Sequence, residues 1–360
     1  MIRRVEFPLN LALFDEVIDV RAPEEFAIDH VPGAVSLPVL DDNQRARIGT
    51  LFKQDSSFLA RRTGAAMICR NIAGMMETHF ANRPAVYRPL VYCWRGGQRS
   101  ASLATILDAV GWRVSVLQGG YKHFRHHVLA ELDTLPPRLN WRVIQGPTGS
   151  GKTRLLHALT AGGAQVLDLE AIARHRASVL GREPGQDQPA QRGFETALWQ
   201  ALSGLDPAQP VFVEAENRRI GRLHLPATLW QAITAAPVTA LEVDRRRRVD
   251  HLLRDYPHMV AEPDMLARQL QLLIPFQGRE VVGQWHQWIE QGRWHDLVDA
   301  LLERHYDPLY ARNSPYQPAG RNLPLAAVEP AALAAAAATL IGGEGSAGGK
   351  PASPGALPPE

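Results

Sequence analysis

An apolar run, Val143-Ile144-Gln145, passes directly into Gly146-Pro147-Thr148-Gly149-Ser150-Gly151-Lys152-Thr153, and a helix-forming stretch opens at Arg154. Such a loop functions only when a strand delivers it and a helix N-terminus receives it, because its backbone N–H groups must converge on one phosphate while the helix dipole faces that phosphate. The run therefore demands an α/β unit with a parallel sheet. Gly146, Gly149 and Gly151 let the backbone wrap a phosphate, Ser150 lies inside the wrap, and Lys152 supplies a compact positive charge. Thr153 is placed to hold a magnesium ion. Only four of the chain's 39 basic residues are lysines, so a lysine kept at this position points to chemistry that a guanidinium does not serve. A further strand, expected at 210–213, ends in Glu214-Ala215-Glu216, where loops of this kind present a metal-coordinating or water-orienting carboxylate. Glu214 is the candidate. Asp168 and Glu170, at the end of a strand expected at 165–169, are second choices that read equally well as strand-end or capping residues.

The rest of the chain supports two α/β units. Before residue 135, short apolar runs expected as strands at 17–20, 35–37, 90–92 and 114–117 alternate with helical stretches, a pattern that predicts a mainly parallel sheet. Pro136-Pro137 punctuates the chain. The expected domains are 1–135, then 136–325 with the phosphate-binding loop and a helical C-terminal part, then a low-complexity tail at 326–360 too poor in core-forming residues to order itself. From about 250 to 309 apolar residues recur at three- and four-residue steps, as at Leu266, Leu270 and Leu273.

Composition narrows the class without deciding it. A hydrophobic fraction of 45%, 21% charged residues and a mean hydropathy of −0.18 are globular values, which exclude a mainly disordered, collagen-like or membrane-embedded chain. Glu6, Asp15 and Glu16 interrupt the first apolar run, and no stretch reaches the roughly 20 apolar residues of a membrane span, so a cytoplasmic location without membrane contact is expected. Two cysteines make neither a disulfide framework nor a zinc module. The net charge is only +2, so a nucleic acid would have to be held by local patches. Arg218, Arg219 and Arg222 are the first candidates for such contact; Arg245 to Arg248 could make it too but read better as a solvated helix face, and Trp285, Trp288 and Trp294 could stack on bases but read better as helix packing.

The second chemical signal is Tyr92-Cys93-Trp94-Arg95-Gly96-Gly97-Gln98-Arg99-Ser100. Cys93 lies between the end of a buried strand and the start of a helix. Gly96 and Gly97 let the Trp94–Ser100 loop curl so that its amides converge on the sulfur, while the helix N-terminus, Arg95 and Arg99 favour negative charge there. A nucleophilic sulfur is expected. Cys69 has no such cradle and reads as structural.

With Asp19-Val20-Arg21, His30-Val31-Pro32-Gly33-Ala34 and Leu117-Gln118-Gly119-Gly120-Tyr121 on either side, this first unit resembles the rhodanese family. In that family the cysteine carries a chalcogen atom within the loop and passes it on, and the aspartate matched by Asp19 is structural. Here five residues separate Cys93 from Arg99, where many rhodaneses have four. Cysteine phosphatases share the wider, phosphate-sized spacing, but Tyr92 stands where their histidine would be.

The order of the two units, with Val213-Glu214-Ala215-Glu216-Asn217-Arg218-Arg219-Ile220-Gly221 and Tyr306-Asp307-Pro308-Leu309-Tyr310, resembles the tRNA 2-selenouridine synthase family. The resemblance implies replacement of sulfur by selenium in wobble 2-thiouridine of tRNA. Selenophosphate is the implied donor, taken up on Cys93 as a perselenide, and a geranylated intermediate would form from geranyl diphosphate held by the P-loop. No tightly bound cofactor is expected, magnesium entering only as the ion that Thr153 could hold, and tRNA and a selenophosphate-supplying enzyme are the implied partners. Two other classes stay open on the residues alone: a P-loop nucleotide-hydrolysing switch or kinase with an accessory rhodanese domain, and a persulfide relay protein.

Overall fold

The computed structural model describes residues 2–176, 187–312 and 315–345. The chain divides into two compact units, one of Met1–Leu135 with Gln188–Ser203, the other of Pro136–Asp187 with Gly204–Glu360.

The first unit is built on β1 (Arg3–Val5), β2 (Glu16–Asp19), β3 (Ala34–Ser36), β4 (Pro89–Tyr92) and β5 (Ser115–Leu117). These form one sheet in the order β1-β5-β4-β2-β3, with every pair parallel. Leu90, Val91 and Tyr92 are buried, which is why β4 reads as a continuous apolar run and sits at the centre. Parallel neighbours require crossovers, which α1 (Pro23–Ile28), α2 (Asp42–Gln54) with α3 (Ser57–Glu77), and α4 (Gln98–Val110) supply, while α5 (Gly120–Thr134) follows the last strand. Pro23 opens α1 at a position where a missing N–H costs nothing.

The second unit has β6 (Asn140–Gln145), β7 (Gln165–Leu167), β8 (Pro210–Glu214), β11 (Val238–Glu242) and β12 (Arg321–Pro324), in the parallel order β12-β11-β6-β8-β7. A small antiparallel hairpin of β9 (Arg219–Ile220) and β10 (Leu223–His224) follows β8. α6 (Lys152–Ala161) and α7 (Leu169–Ala173) flank the sheet, and 245–312 is almost wholly helical around a core that includes Leu266, Leu270, Leu273 and Trp285. Trp288 and Trp294 pack against that core.

Every strand expected from the sequence is present, displaced by no more than two residues at an end. β1, β11 and β12 were not legible: β1 spans three residues, and β11 carries Thr239 and Glu242 among its apolar positions. Two expectations need correcting. α8 (Gln191–Ser203) was counted with the second unit, but its Trp199 stacks edge-on against Phe124 and His127 of α5, so it belongs to the first. The tail from 326 was expected to lack order, yet Pro330–Gly345 forms a helix. Alanine is the best helix former, and Leu333, Ala336, Ala337 and Leu340 bury a stripe against a core shared with Leu155 and Leu159 of α6. Each buried leucine contributes about 1.5–3 kcal/mol, which local composition alone does not reveal. Residues 346–360 lie outside the described residues.

Candidate active sites

In the first unit, β4 ends at Tyr92 and the chain turns through 93–97 into α4, capped at Gly97. Cys93 is buried. Its Sγ accepts from the Gly97 amide at 3.3 Å and lies 3.2 Å from Ser100 Oγ, which also reaches the Gly97 carbonyl. Among the described residues the amides of Trp94, Arg95 and Gly96 donate to no protein atom, so the loop keeps donors for an anion.

The loop is held from beneath by Leu117-Gln118-Gly119-Gly120-Tyr121. Tyr121 N donates to Cys93 O at 2.8 Å and Lys122 N to Trp94 O at 2.9 Å. Gly120 has φ +59°, and a Cβ there would lie 2.2 Å from Cys93 O and 2.6 Å from Gly96 N. Close backbone approach therefore makes this glycine part of the site.

The charges are arranged differently from the sequence expectation. Arg95 is exposed, but Arg99 is tied to Glu25, Nη1 to Oε2 at 2.9 Å. Burial pushes the Glu25 carboxyl up, but the Arg99 hydrogen bond and charge, with Arg45 nearby, more than reverse that and hold it below its ordinary range. Asp19 is structural, as the resemblance implied: it grips Arg21, whose guanidinium also bonds Asp29 O and lies 3.9 Å over the Tyr121 ring. Trp94 packs on Tyr121, while Gln98 is exposed. Cys69 is free and exposed on α3.

In the second unit the loop after β6 enters α6 through Gly149 (φ +79°) and Gly151 (φ +81°). Lys152 Nζ donates to Gly146 O at 2.8 Å, folded back over its own loop. Ser150 Oγ is buried with no partner among the described residues. A cleft of 530 Å³ opens over Gly149–Thr153 and is bordered by Asp168, Glu170 and Glu216.

Glu214 sits buried at the end of β8. One carboxylate oxygen accepts from Glu170 N at 2.9 Å, and the other has no partner among the described residues. Burial, then the charges of Asp168, Glu216 and Glu170, push its carboxyl well up. Burial and Glu170 likewise push Glu216 up to about 8, with Lys152 pulling the other way. Thr153 Oγ1 donates to Glu170 at 3.1 Å. So the sequence candidates Glu214, Asp168 and Glu170 gather behind the loop, with Glu216 as a fourth member it did not single out. Among the described residues no group of three or more acidic, histidine or cysteine side chains is disposed to hold a metal directly. Magnesium bound through Thr153, one carboxylate and water fits this donor set, since that ion keeps most of its waters.

Comparison with known proteins gives the lineage. A family model described as the tRNA 2-selenouridine synthase AAA domain matches residues 139–271, and a rhodanese-like domain model matches 8–127. The tRNA 2-selenouridine synthase of Nitrosomonas europaea is 35% identical over 72% of this chain and 67% of its own length. That of Bdellovibrio bacteriovorus is 35% identical over 67% of this chain and 64% of its own length, so the match spans just under two-thirds of that relative. The protein of the same name from Cupriavidus necator is 33% identical over 82% of this chain and 87% of its own length. The chain belongs to the tRNA 2-selenouridine synthase family.

Against that family background, Arg218, Arg219 and Arg222 all lie exposed on or beside the β9–β10 hairpin, Arg219 bonded to Gly221 O. Arg248, expected on a solvated face, is instead buried. It clamps Asp307 through two hydrogen bonds and donates to Thr148 O at 3.1 Å, fastening the P-loop to the C-terminal helices. No helix among the described residues is long and apolar enough to cross a membrane.

Proposed function

We infer that this protein replaces sulfur by selenium in wobble 2-thiouridine of tRNA in the cytoplasm, with selenium chemistry in the first unit and geranyl transfer in the second. The observation that carries the reading is the Cys93 sulfur inside an amide-lined loop, in a chain whose second unit has a complete P-loop. The names of its relatives supply the substrate class.

Geranyl diphosphate would lie with its diphosphate on the amides and Lys152 of the P-loop. Beside Thr148 an apolar cavity lined by Leu252, Tyr256, Trp294, Leu297 and Leu301 suits a hydrocarbon tail. As the thiouridine sulfur attacks the allylic carbon, the carbon–oxygen bond breaks, and Lys152 stabilises the charge appearing on diphosphate. A magnesium ion at Thr153 would neutralise further phosphate charge. Geranylation turns the sulfur into a leaving group.

In the first unit, selenophosphate fits the phosphate-sized loop between Cys93 and Arg99. The selenium of selenophosphate is already reduced, so a perselenide on Cys93 with phosphate leaving would require a two-electron acceptor. Attack of the Cys93 sulfur at phosphorus needs none: the S–P bond forms, the Se–P bond breaks and selenide leaves. Selenide then displaces geranylthiol at C2, and water hydrolyses the phosphocysteine. Purified protein given geranylated tRNA and selenophosphate tests this. Selenouridine should form, and rapid quenching should show phosphate on Cys93. Selenium retained on Cys93 would restore the perselenide route, and nucleotide hydrolysis indifferent to tRNA, with no selenouridine, would replace the whole reading by a P-loop switch.

A further inference from the structure

The crossover between β3 and β4 is a helical hairpin in which α3 packs Ile68 and Ile72 into the core while α2 stays at the surface. No residue of α2 is fully buried, and Phe52 and Phe58 are 49% and 73% exposed. Where this hairpin faces α4 there is a groove of 700 Å³. Its lining includes Arg45, Arg61 and Arg99 and no acidic side chain, together with Phe52 and the small residues Gly49 and Gly64. Glu25 reaches Arg45 and Arg99, but at 3.7 Å it holds Arg45 weakly, and Arg61 pairs with no carboxylate among the described residues. Arg47, Arg62 and Arg70 add exposed charge on the same hairpin. One end of the groove is Gln98-Arg99, the first turn of the helix that leaves the Cys93 loop.

We propose that this groove binds a single-stranded segment of the tRNA and leads it to the Cys93 loop. The inference rests on the proposed function for the identity of the RNA. Its own support is the groove's chemistry: three guanidinium groups, of which Arg61 has no carboxylate partner among the described residues and Arg45 only a distant one, suit successive phosphates, and the exposed ring of Phe52 suits a stacked base. The groove is far larger than a single phosphate or selenophosphate fills.

Binding of a fluorescent tRNA anticodon stem-loop carrying 2-thiouridine is measured by anisotropy over a salt series, using the full chain. Arg45→Glu with Arg61→Glu should weaken binding at least about tenfold. It should also lower the slope of log affinity against log salt by about 0.7 for each single-strand phosphate that the protein no longer neutralises. Phe52→Ala should weaken binding with the slope unchanged, because stacking releases no counterions. All these residues are exposed, so circular dichroism should show intact folding. Reaction of the Cys93 thiol with selenophosphate alone should keep its wild-type rate in Phe52→Ala and in Arg61→Glu made singly, neither of which touches the Glu25–Arg99 pair. Wild-type affinity and slope in the double variant would overturn the proposal. So would unchanged RNA binding with loss of binding to the selenophosphate-supplying enzyme, which would make the groove a protein site. Wild-type protein that binds no tRNA at all would defeat the proposed function together with this inference.

Discussion

Both reactive loops leave the central strand of a five-stranded parallel sheet, turn at glycines with positive φ and enter a helix N-terminus. Their electrostatics then diverge. Around Cys93 the donors are backbone amides, and the partly buried Arg99 is neutralised by Glu25. Around Gly149–Thr153 a lysine faces a buried group of carboxylates whose proton affinity is raised by burial and by one another. One geometry, a strand end with an amide cradle, serves a loop that holds its own nucleophile and a loop built to receive charge from outside. What distinguishes them is the side chain at the centre and the charge behind it.

The sharpest way to break that division is to remove each centre. Cys93→Ser should lower selenium incorporation by about a thousandfold or more, while geranylation of thiolated tRNA continues. Lys152→Ala should lower geranylation by about a hundredfold or more and leave reaction of Cys93 with selenophosphate intact. Nucleoside mass spectrometry on each variant reads both steps. Loss of geranylation in the cysteine variant alone would reverse the assignment.

A smaller effect comes from the turn beneath the first loop. Gly120→Ala places a methyl group against Cys93 O and Gly96 N and forces alanine to a positive φ. It should cost roughly 2 kcal/mol or more in stability and slow the Cys93 reaction by at least about tenfold. Geranyl diphosphate binding, followed by calorimetry, should not change. Gly97→Ala, which meets nothing within 4 Å, is the matching control.

Both loops were legible because glycine spacing, strand and helix are encoded locally. The long-range partners were not. Gly120 lies far along the chain from Cys93, and its role depends on a close backbone approach that no pattern near Cys93 announces. Arg248 sits in an arginine run that looks solvated, yet Asp307, distant in sequence, draws it inside. Glu25 cancels Arg99 across a similar gap. Helix 330–345 was misjudged for the same reason, since its alanines gain a buried face only once α6 is present.

The carboxylates behind the P-loop give a pH signature that the first loop should lack. The folded-state carboxyl of Glu216 is raised to about 8 from 4.5, so between these values the native state binds more protons than the unfolded chain, and stability falls as pH rises. Glu216→Gln removes the penalty. Its melting temperature should exceed wild type at pH 8, and the difference should shrink toward pH 4.5. A constant difference across that range would mean that Glu216 is charged throughout.

The smallest effect tests the neutralised arginine. Glu25 is held below its ordinary value of 4.5, so its contribution is present above that value and lost as pH falls through the folded-state value. Glu25→Gln should therefore cost about 1 kcal/mol near neutrality, a few degrees in melting temperature, with the gap closing in acid. The same change frees Arg99 beside a loop rich in unused amides, so affinity for selenophosphate should rise severalfold while the P-loop's affinity for diphosphate stays fixed. If donor affinity falls instead, the Glu25–Arg99 pair shapes the loop rather than restraining its charge. The contrast between an amide-driven cradle and a charge-driven one would then be narrower than the two sets of side chains suggest.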